Sequence, residues 1–358
     1  RTFTGHPVDV ATGELYSAET DFTMGGPVPV AWERFWLSSS DQNGGLGSKW
    51  HHPLDMELVE GGDYAVLRVE HGRLVLLPRL QPGQSFYHRA EKLTAIRDGE
   101  TGWRIRMADG LVRRLAAWPG RAGYFRLTSL GDDNGNHVAL SYDSRGGLVN
   151  IRASDGIDYQ FALDPAGRVT EISRTDGRAR VTLVSYSYDP AGDLKMARNA
   201  GGSAFLYAYY QGLLVRETRR SGLSFYFEWD DPAAGTEARC TRTWGDGGIY
   251  MREIHYEPDR SYTWVRNGKN QVERYFWDRH GFVTRCLSPM GALSTAKFNR
   301  FGECALSTDA NGCTQHSGHD EFGRLVWFQD ECGARERFLY ASQYPASPNF
   351  HNVACHVD

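Results

Sequence analysis

The sequence lacks the features of helical and membrane proteins. No run of 18 apolar residues occurs, so no transmembrane helix is predicted. No long segment repeats its apolar residues with helical periodicity, and the 40 glycines interrupt the chain throughout. The chain begins Arg1-Thr2-Phe3, with neither an initiator methionine nor a signal-peptide pattern, and we therefore expect that it is cut from a longer protein.

An excess of one charge, paired cysteines and catalytic motifs are also missing. The net charge is −4 with both signs mixed along the chain, which predicts no surface for nucleic acid or an anionic membrane. The six cysteines form no Cys-x-x-Cys pair, and we interpret them as reduced strand residues. No Gly-x-Ser-x-Gly, His-Glu-x-x-His, phosphate-loop or dinucleotide motif occurs. The chain is predicted not to be an enzyme and to need no cofactor.

The sequence does contain one recurring phrase: an aromatic residue, Asp, two variable residues and Gly. The clearest copies are Tyr142–Gly146, Tyr188–Gly192, Trp277–Gly281 and Phe298–Gly302, and looser ones are Leu163–Gly167 and His319–Gly323. The Asp or Asn position advances by 21 residues three times and by 25 once. Such a period indicates an array whose units bury their apolar faces against their neighbours.

Each repeat carries turn signals separated by short alternating runs. Asp bonds its own backbone in tight turns, and Gly accepts positive φ without steric cost. A second signal follows within the repeat, as at Thr175-Asp176-Gly177, and runs such as Tyr159–Leu163 alternate in polarity like half-buried strands. We therefore predict an all-β fold, a long antiparallel ribbon of β-hairpins. The predicted structural turn residues are Asp143, Gly146, Asp164, Gly167, Asp189, Gly192, Asp278, Gly281, Gly302, Asp320 and Gly323.

The composition divides the chain into four segments. Residues 1–53, rich in Pro and Gly, are predicted to be an irregular cap (the cap, below), because an array needs its first unit covered. Residues 54–135 are predicted to be irregular β-hairpins, and residues 136–340 the repeat ribbon. The tail, 341–358, loses the period. The strands predicted outside the ribbon are 31–37, 64–69, 74–77, 103–107, 111–115 and 124–127.

These features resemble the Rhs/YD-repeat family of bacterial polymorphic toxins. The Asp-x-x-Gly phrases match the YD repeat, and the resemblance covers residues 1–340. The N-terminal signature is carried by Gly5, Pro7, Val8, Val10, Thr12 and Gly13, followed by Glu19–Phe22, Gly26–Pro29 and Leu46–Trp50. The resemblance implies the N-terminal part of an Rhs core, a YD-repeat β-solenoid that winds into a hollow shell around a C-terminal toxin.

The resemblance also implies a biological setting. The chain would be an encapsulating module of an effector used in interbacterial competition, delivered to rival cells through a type VI secretion system. Its partners would be a C-terminal toxin domain or further repeats, in the same or a separate chain, with secretion spike proteins and a chaperone. An immunity protein would bind only through the toxin. The protein would be bacterial, made in the cytoplasm and secreted or delivered by a contact-dependent apparatus.

Two departures from the family pattern limit these expectations. The family's self-cleavage motif has paired Asp-Pro-x-Gly phrases near the end of the core, whereas Asp164–Gly167 and Asp189–Gly192 lie mid-chain, so self-cleavage is not expected. Strands about 4.8 Å apart give roughly 100 Å of ribbon, enough for one turn of about 16 Å radius. The ribbon is therefore predicted to curl into a partial shell.

Residues suited to metal binding or catalysis have simpler interpretations. Cys313, His316 and His319 are zinc-ligand types, but a three-residue spacing on a strand alternates between faces, so no metal site is predicted. His51 and His52 could be ligands or acid–base groups, and a strand-edge pair is the favoured alternative. The repeat acids could form a glycosidase pair, although their turn positions account for each of them.

Aromatic residues offer the remaining candidate surface. Tyr207, Tyr209, Phe225, Phe227 and Trp229 are candidates for an inner wall or a ligand-facing surface, and packing between ribbon and cap is the alternative. The leading hypothesis is the encapsulating module. Its alternatives are a carbohydrate- or cell-surface-binding YD-repeat module without cargo, and a glycoside hydrolase that uses repeat carboxylates.

Overall fold

The computed structural model describes residues 1–175 and 179–357. Its regular structure is almost entirely antiparallel β-strand, which confirms the predicted fold class. The predicted turn at Asp176-Gly177 lies outside the described residues. Within the described ranges, no helix has the length and apolar character needed to cross a membrane.

The described part of the chain contains thirty-five strands in succession, with four short 3₁₀ turns between them. The strands are β1 (Phe3–Thr4), β2 (Val8–Asp9), β3 (Tyr16–Met24), β4 (Val30–Leu37), β5 (Asn43–Gly44), β6 (Gly47–Ser48), β7 (Trp50–His51), β8 (Glu57–Glu60), β9 (Tyr64–Arg68), β10 (Leu74–Pro78), β11 (Ser85–His88), β12 (Leu93–Asp98), β13 (Gly102–Arg106), β14 (Val112–Ala117), β15 (Tyr124–Gly131), β16 (His137–Tyr142), β17 (Leu148–Ala153), β18 (Asp158–Leu163), β19 (Val169–Thr175), β20 (Arg180–Tyr188), β21 (Leu194–Asn199), β22 (Ala204–Tyr210), β23 (Leu213–Thr218), β24 (Ser224–Trp229), β25 (Cys240–Gly245), β26 (Arg252–Glu257), β27 (Tyr262–Asn267), β28 (Val272–Trp277), β29 (Val283–Leu287), β30 (Leu293–Phe298), β31 (Cys304–Thr308), β32 (Thr314–His319), β33 (Leu325–Gln329), β34 (Arg335–Tyr340) and β35 (Val353–Val357). The 3₁₀ turns are Glu70–Gly72, Pro232–Glu237, Asp246–Gly248 and Pro258–Arg260.

The cap contains a three-stranded antiparallel sheet in the order β3-β4-β7. β4 agrees with the strand predicted at 31–37, but the nine-residue β3 was not predicted because its run of Glu19, Thr20 and Asp21 hides the apolar alternation. A β-bulge sits at Asp21, since Thr20 pairs with Glu33 while Phe22 pairs with Trp32. A bulge changes the direction in which a side chain points, and here the Asp21 carboxylate faces the ribbon.

Strands β8 to β15, in the segment predicted to be irregular hairpins, form a closed sheet in which β15 pairs with β8. The predicted strands of this segment are present, and three further strands, β8, β11 and β12, were not predicted. No clear turn signal separates β11 from β12 in the sequence. Inward-facing side chains alternate along each strand and fill the interior. Buried side chains of this sheet include Leu58, Leu67, Leu77, Ala95, Ile105, Phe125 and Leu127.

From β15 to β35 every strand pairs antiparallel with the next, which makes one continuous ribbon. A register shift recurs immediately before the aromatic position of the repeat phrase, as between Ser141 and Tyr142, where Ser141 pairs with Asn150 but Tyr142 pairs with Leu148. Bulges bend the strand that carries them and increase its twist. One bulge in each repeat therefore accounts for the curl of the ribbon. Equivalent shifts precede Leu163, Tyr188, Trp277, Phe298 and His319.

The curled ribbon returns to the closed sheet. The Tyr87 hydroxyl donates to the Phe322 carbonyl oxygen at 3.0 Å, and Arg89 pairs with Glu303 at 2.7 Å. The tail contributes to this contact, because Phe350 is buried beside Tyr87. After that loop the chain re-enters the sheet as β35, paired with β34.

Candidate functional site: the cap–ribbon interface

The cap covers one face of the ribbon, which we call the cap face. Directly opposed residues of neighbouring strands share a face, so the pairings of Tyr207 with Glu217 and of Glu217 with Phe225 place these side chains together. The cap face defined in this way comprises Tyr186, Ala197, Phe205, Tyr207, Glu217, Phe225, Phe227 and Thr243. All of these residues except Tyr186, Phe205 and Tyr207, which are 5% exposed, are at most 3% exposed.

A buried ion pair joins the cap to this face. Arg34 on β4 binds Asp21 on β3 through Nε–Oδ2 at 2.6 Å and Nη2–Oδ1 at 3.1 Å, and both side chains are inaccessible to solvent. Arg34 also donates to the Tyr207 hydroxyl at 2.8 Å, while Asp21 accepts from the Tyr186 hydroxyl at 2.6 Å and from Arg220 at 2.9 Å. Burial opposes the charge of Arg34, but the oxygens of Tyr207 and Asp21 more than offset it and raise the pKa of the guanidinium.

A second buried carboxylate lies nearby on the ribbon. Glu217 accepts hydrogen bonds from Ser17 Oγ at 2.7 Å and from His6 Nε2 at 3.3 Å. The His6 ring stacks on Phe225 with centroids 4.0 Å apart. Burial would raise the pKa of Glu217, but the hydrogen bonds and charges of its neighbours lower it overall. Each buried carboxylate thus accepts hydrogen bonds from across the interface, Asp21 from the ribbon and Glu217 from the cap.

The five predicted aromatic residues all lie at or beside this interface. Tyr207 contacts the Trp50 ring edge-to-face at 4.9 Å, and Phe225 and Phe227 contact His6. Tyr209 accepts from Trp50 Nε1 at 2.9 Å and donates to the Leu194 carbonyl, while Trp229 Nε1 donates to the Leu214 carbonyl. Their rings pack on the chain's own N-terminal segment.

The aromatic slot of the repeat has a structural task that sequence reasoning did not identify. Tyr142 donates its hydroxyl hydrogen to the Leu127 carbonyl at 2.7 Å, and Tyr188 donates to the Val169 carbonyl at 2.6 Å. Each ring thereby ties its hairpin to the preceding one. The same bond recurs from Tyr256 to Cys240 and from Tyr340 to Leu325.

The predicted turn acids engage their own backbones. Asp143 Oδ1 accepts from the amides of Arg145 and Gly147 at 3.0 and 2.7 Å. Equivalent bonds are made by Asp164, Asp189, Asp278, Asn299 and Asp320. The turn glycines Gly146, Gly167, Gly192, Gly281, Gly302 and Gly323 have φ between 79° and 96°.

The N-terminal signature packs against β25 and β26. Gly5 and Gly13 both have positive φ. A Cβ on Gly5 would lie 2.3 Å from Thr243, and a Cβ on Gly13 would lie 2.6 Å from Arg239. The Pro7 carbonyl accepts from the Tyr16 amide, and Thr12 Oγ1 accepts from the Glu14 amide. Val8 is fully buried.

The histidine and cysteine candidates are dispersed. Cys313 is exposed in a turn, and His316 and His319 lie further along β32. Among the described residues, no group of three or more His, Cys, Asp or Glu side chains is placed to hold a metal ion. His51 and His52 are instead buried at the cap, and burial lowers their pKa values to about 4 and about 3.

Comparisons with known proteins agree with the sequence signature. The family described as "Domain of unknown function (DUF6531)" matches residues 5–77. "Toxin protein Tse5" of Pseudomonas aeruginosa is 28% identical over 93% of this chain and 28% of its own length. "Probable deoxyribonuclease RhsB" of Dickeya dadantii is 23% identical over 95% of this chain and 24% of its own length. These matches support an Rhs-family toxin region.

Two further matches to the chain follow the same pattern. "Double-stranded DNA deaminase toxin A" of Burkholderia cenocepacia is 29% identical over 63% of this chain and 16% of its own length. The Tc holotoxin pore of Photorhabdus luminescens superposes with a TM-score of 0.40 and 13% identity, over 94% of this chain and 18% of that chain. The chain thus spans between 16% and 28% of the length of these three curated relatives.

Proposed function

We propose that this Rhs region forms the cap-bearing start of a shell that encloses a toxin segment for delivery to rival bacterial cells. The observation that carries the proposal is the return of the ribbon to the closed sheet through Tyr87 and Arg89. A sheet that bends once in each repeat encloses space, and the cap fills the part of that space beside its own docking face. Further repeats and the toxin would come from sequence beyond these 358 residues.

The role proposed for this region is structural rather than catalytic. The repeat carboxylates are engaged by their own turns, which explains their spacing without chemistry. Two of the three curated relatives are named as toxins. The region would serve such a toxin by enclosing it until a contact-dependent apparatus, such as a type VI system, delivers it. The carbohydrate-binding alternative is tested separately below.

Loosening the cap should expose the enclosed segment. In the full-length protein that contains this region, Arg34→Met would leave Asp21 buried without its bidentate partner, a change that typically costs about 3–5 kcal/mol. We expect the toxin segment to be cleaved faster in limited proteolysis, with Arg34→Lys giving an intermediate rate because it keeps the charge but loses the fork geometry.

The matched control is Arg145→Met. Arg145 is 61% exposed, and its Nε lies as far as 3.8 Å from Asp143 Oδ2, so this ion pair is weak. Removing the Arg145 side chain should therefore change the free energy of unfolding by less than about 1 kcal/mol. The toxin segment should then stay as protected as in the parent protein. Rapid cleavage of that segment in the parent protein itself would contradict enclosure.

A further inference from the structure

A cavity of about 240 Å³ lies where the cap meets two turns of the ribbon. Cap residues between Asn43 and Glu57 line one wall, and residues of the turns that follow β16 and β18 line the other. Drug-sized ligands occupy roughly 300–1,000 Å³, so this cavity has room for a smaller molecule. Its lining includes neither Asp21 nor Arg34.

His52 is a buried polar side chain on the cap wall of this cavity. Its ring stacks on Trp32 with centroids 4.6 Å apart, and the residue is only 6% exposed. Nδ1 is buried and has no hydrogen-bond partner among the described residues. Nε2 lies 3.9 Å from the position that a Cβ on Gly45 would take, which places it at the glycine backbone lining the cavity. A neutral imidazole offers one donor and one acceptor.

Asp55 and Arg126 bring opposite charges to the same cavity. The Asp55 carboxylate is 15% exposed, and its Oδ2 lies 3.4 Å from Gln42 Nε2 and 4.0 Å from His51 Nδ1. The Arg126 guanidinium packs 4.7 Å from the centre of the Tyr142 ring, and one of its nitrogens donates to the Gly146 carbonyl. The other carboxylates of the lining have partners, since Glu57 pairs with an arginine of β9 and Asp143 binds its own turn.

This combination selects for a neutral ligand with many hydroxyl groups. An anion would face the Asp55 carboxylate, and a cation would face Arg126, whereas a hydroxyl group can donate to the first and accept from the second. The glycine pairs Gly44-Gly45 and Gly146-Gly147 also line the cavity. We propose that the cavity between the cap and the turns after β16 and β18 binds a small sugar or polyol. The inference does not depend on the enclosure of a toxin.

The test is binding of defined probes to the full-length protein. Glucose, galactose, N-acetylglucosamine and glycerol are titrated separately by calorimetry and by saturation-transfer NMR. We expect saturable binding of at least one of them, weakened about tenfold or more, or ~1.4 kcal/mol, by Asp55→Asn and by His52→Phe. The phenylalanine keeps an aromatic ring that can stack on Trp32 and removes both ring nitrogens.

Asp278→Asn is the matched control, because it neutralises a turn carboxylate outside the cavity and keeps the oxygen that accepts from the amides of His280 and Phe282. It should leave probe affinity unchanged. The proposal is overturned if none of the four probes binds, if a free amino acid or phosphate binds while they do not, or if Asp278→Asn weakens binding as much as Asp55→Asn does.

Discussion

His51 and His52 make the cap sensitive to acid. Both imidazoles are buried, and burial lowers their pKa values to about 4 and about 3 from an ordinary 6.5. Below about pH 6.5 these imidazoles bind protons in the unfolded chain but stay neutral in the folded chain. The free energy of unfolding therefore falls as the pH drops below about 6.5. At about pH 5 the loss is about 2 kcal/mol for each histidine, relative to neutral pH.

This loss is measurable as a difference between variants. Urea unfolding at neutral pH and at about pH 5 should show that His52→Gln loses about 2 kcal/mol less than the parent chain over that interval, because it removes one titrating group. His280→Gln, at an exposed turn position, should lose as much unfolding free energy as the parent chain over the same interval. If His52→Gln and the parent lost the same unfolding free energy over this pH interval, the His52 imidazole would be shown to protonate as readily in the folded state as in the unfolded state.

At the scale of the element, the turn glycines set the stability of each hairpin. Gly167 has φ of 86°, and a Cβ there would meet nothing within 4 Å, so any penalty in Gly167→Ala comes from the backbone alone. We expect a loss of about 1–2 kcal/mol in unfolding free energy. Gly201→Ala is the matched control, since Gly201 lies in a comparable turn without positive φ and should change stability by less than about 0.5 kcal/mol. Equal losses in the two variants would contradict this account.

Local patterns predicted the hairpins, but not what covers them. The Asp-x-x-Gly spacing identified the turns because both residues act within four positions of each other. The role of Asp21 and Arg34 could not be read in the same way, since their hydroxyl partners Tyr186 and Tyr207 lie over 150 residues away. In the sequence, an aromatic strand residue that packs under a cap cannot be distinguished from one that faces a ligand.

At the scale of the molecule, the return of the ribbon is a long-range contact that no repeat contains. Repeat arrays are stabilised mainly between neighbours, so their ends are otherwise independent. Here the connection between β11 and β12 reaches residues more than 200 positions away. The contact makes the curl a fixed property of the folded chain, because the ribbon must bend to the same extent for the partners to meet.

Arg89 is the residue on which this contact most depends. It binds both carboxylate oxygens of Glu303, at 2.9 and 2.7 Å, donates to the Glu321 carbonyl at 2.7 Å, and lies 3.8 Å from the centre of the Phe301 ring. Charge-assisted hydrogen bonds of this kind contribute roughly 1.5–3 kcal/mol. Arg89→Met should therefore accelerate amide hydrogen exchange both in β11 and in the turn at 299–303, while β4 in the cap keeps its protection.

The control for this contact is Arg73→Met, which removes an exposed bidentate pair with Glu91 at 2.7 Å within the closed sheet. Exposed pairs contribute about 0–1 kcal/mol, so exchange at 299–303 should not change in this variant. Coupled loss of protection at both ends of the contact, in Arg89→Met alone, would establish that the curl is maintained by these residues. Faster exchange confined to β11 would mean that the turns of β30 to β33 hold their position without it, and that curvature comes from the bulges alone.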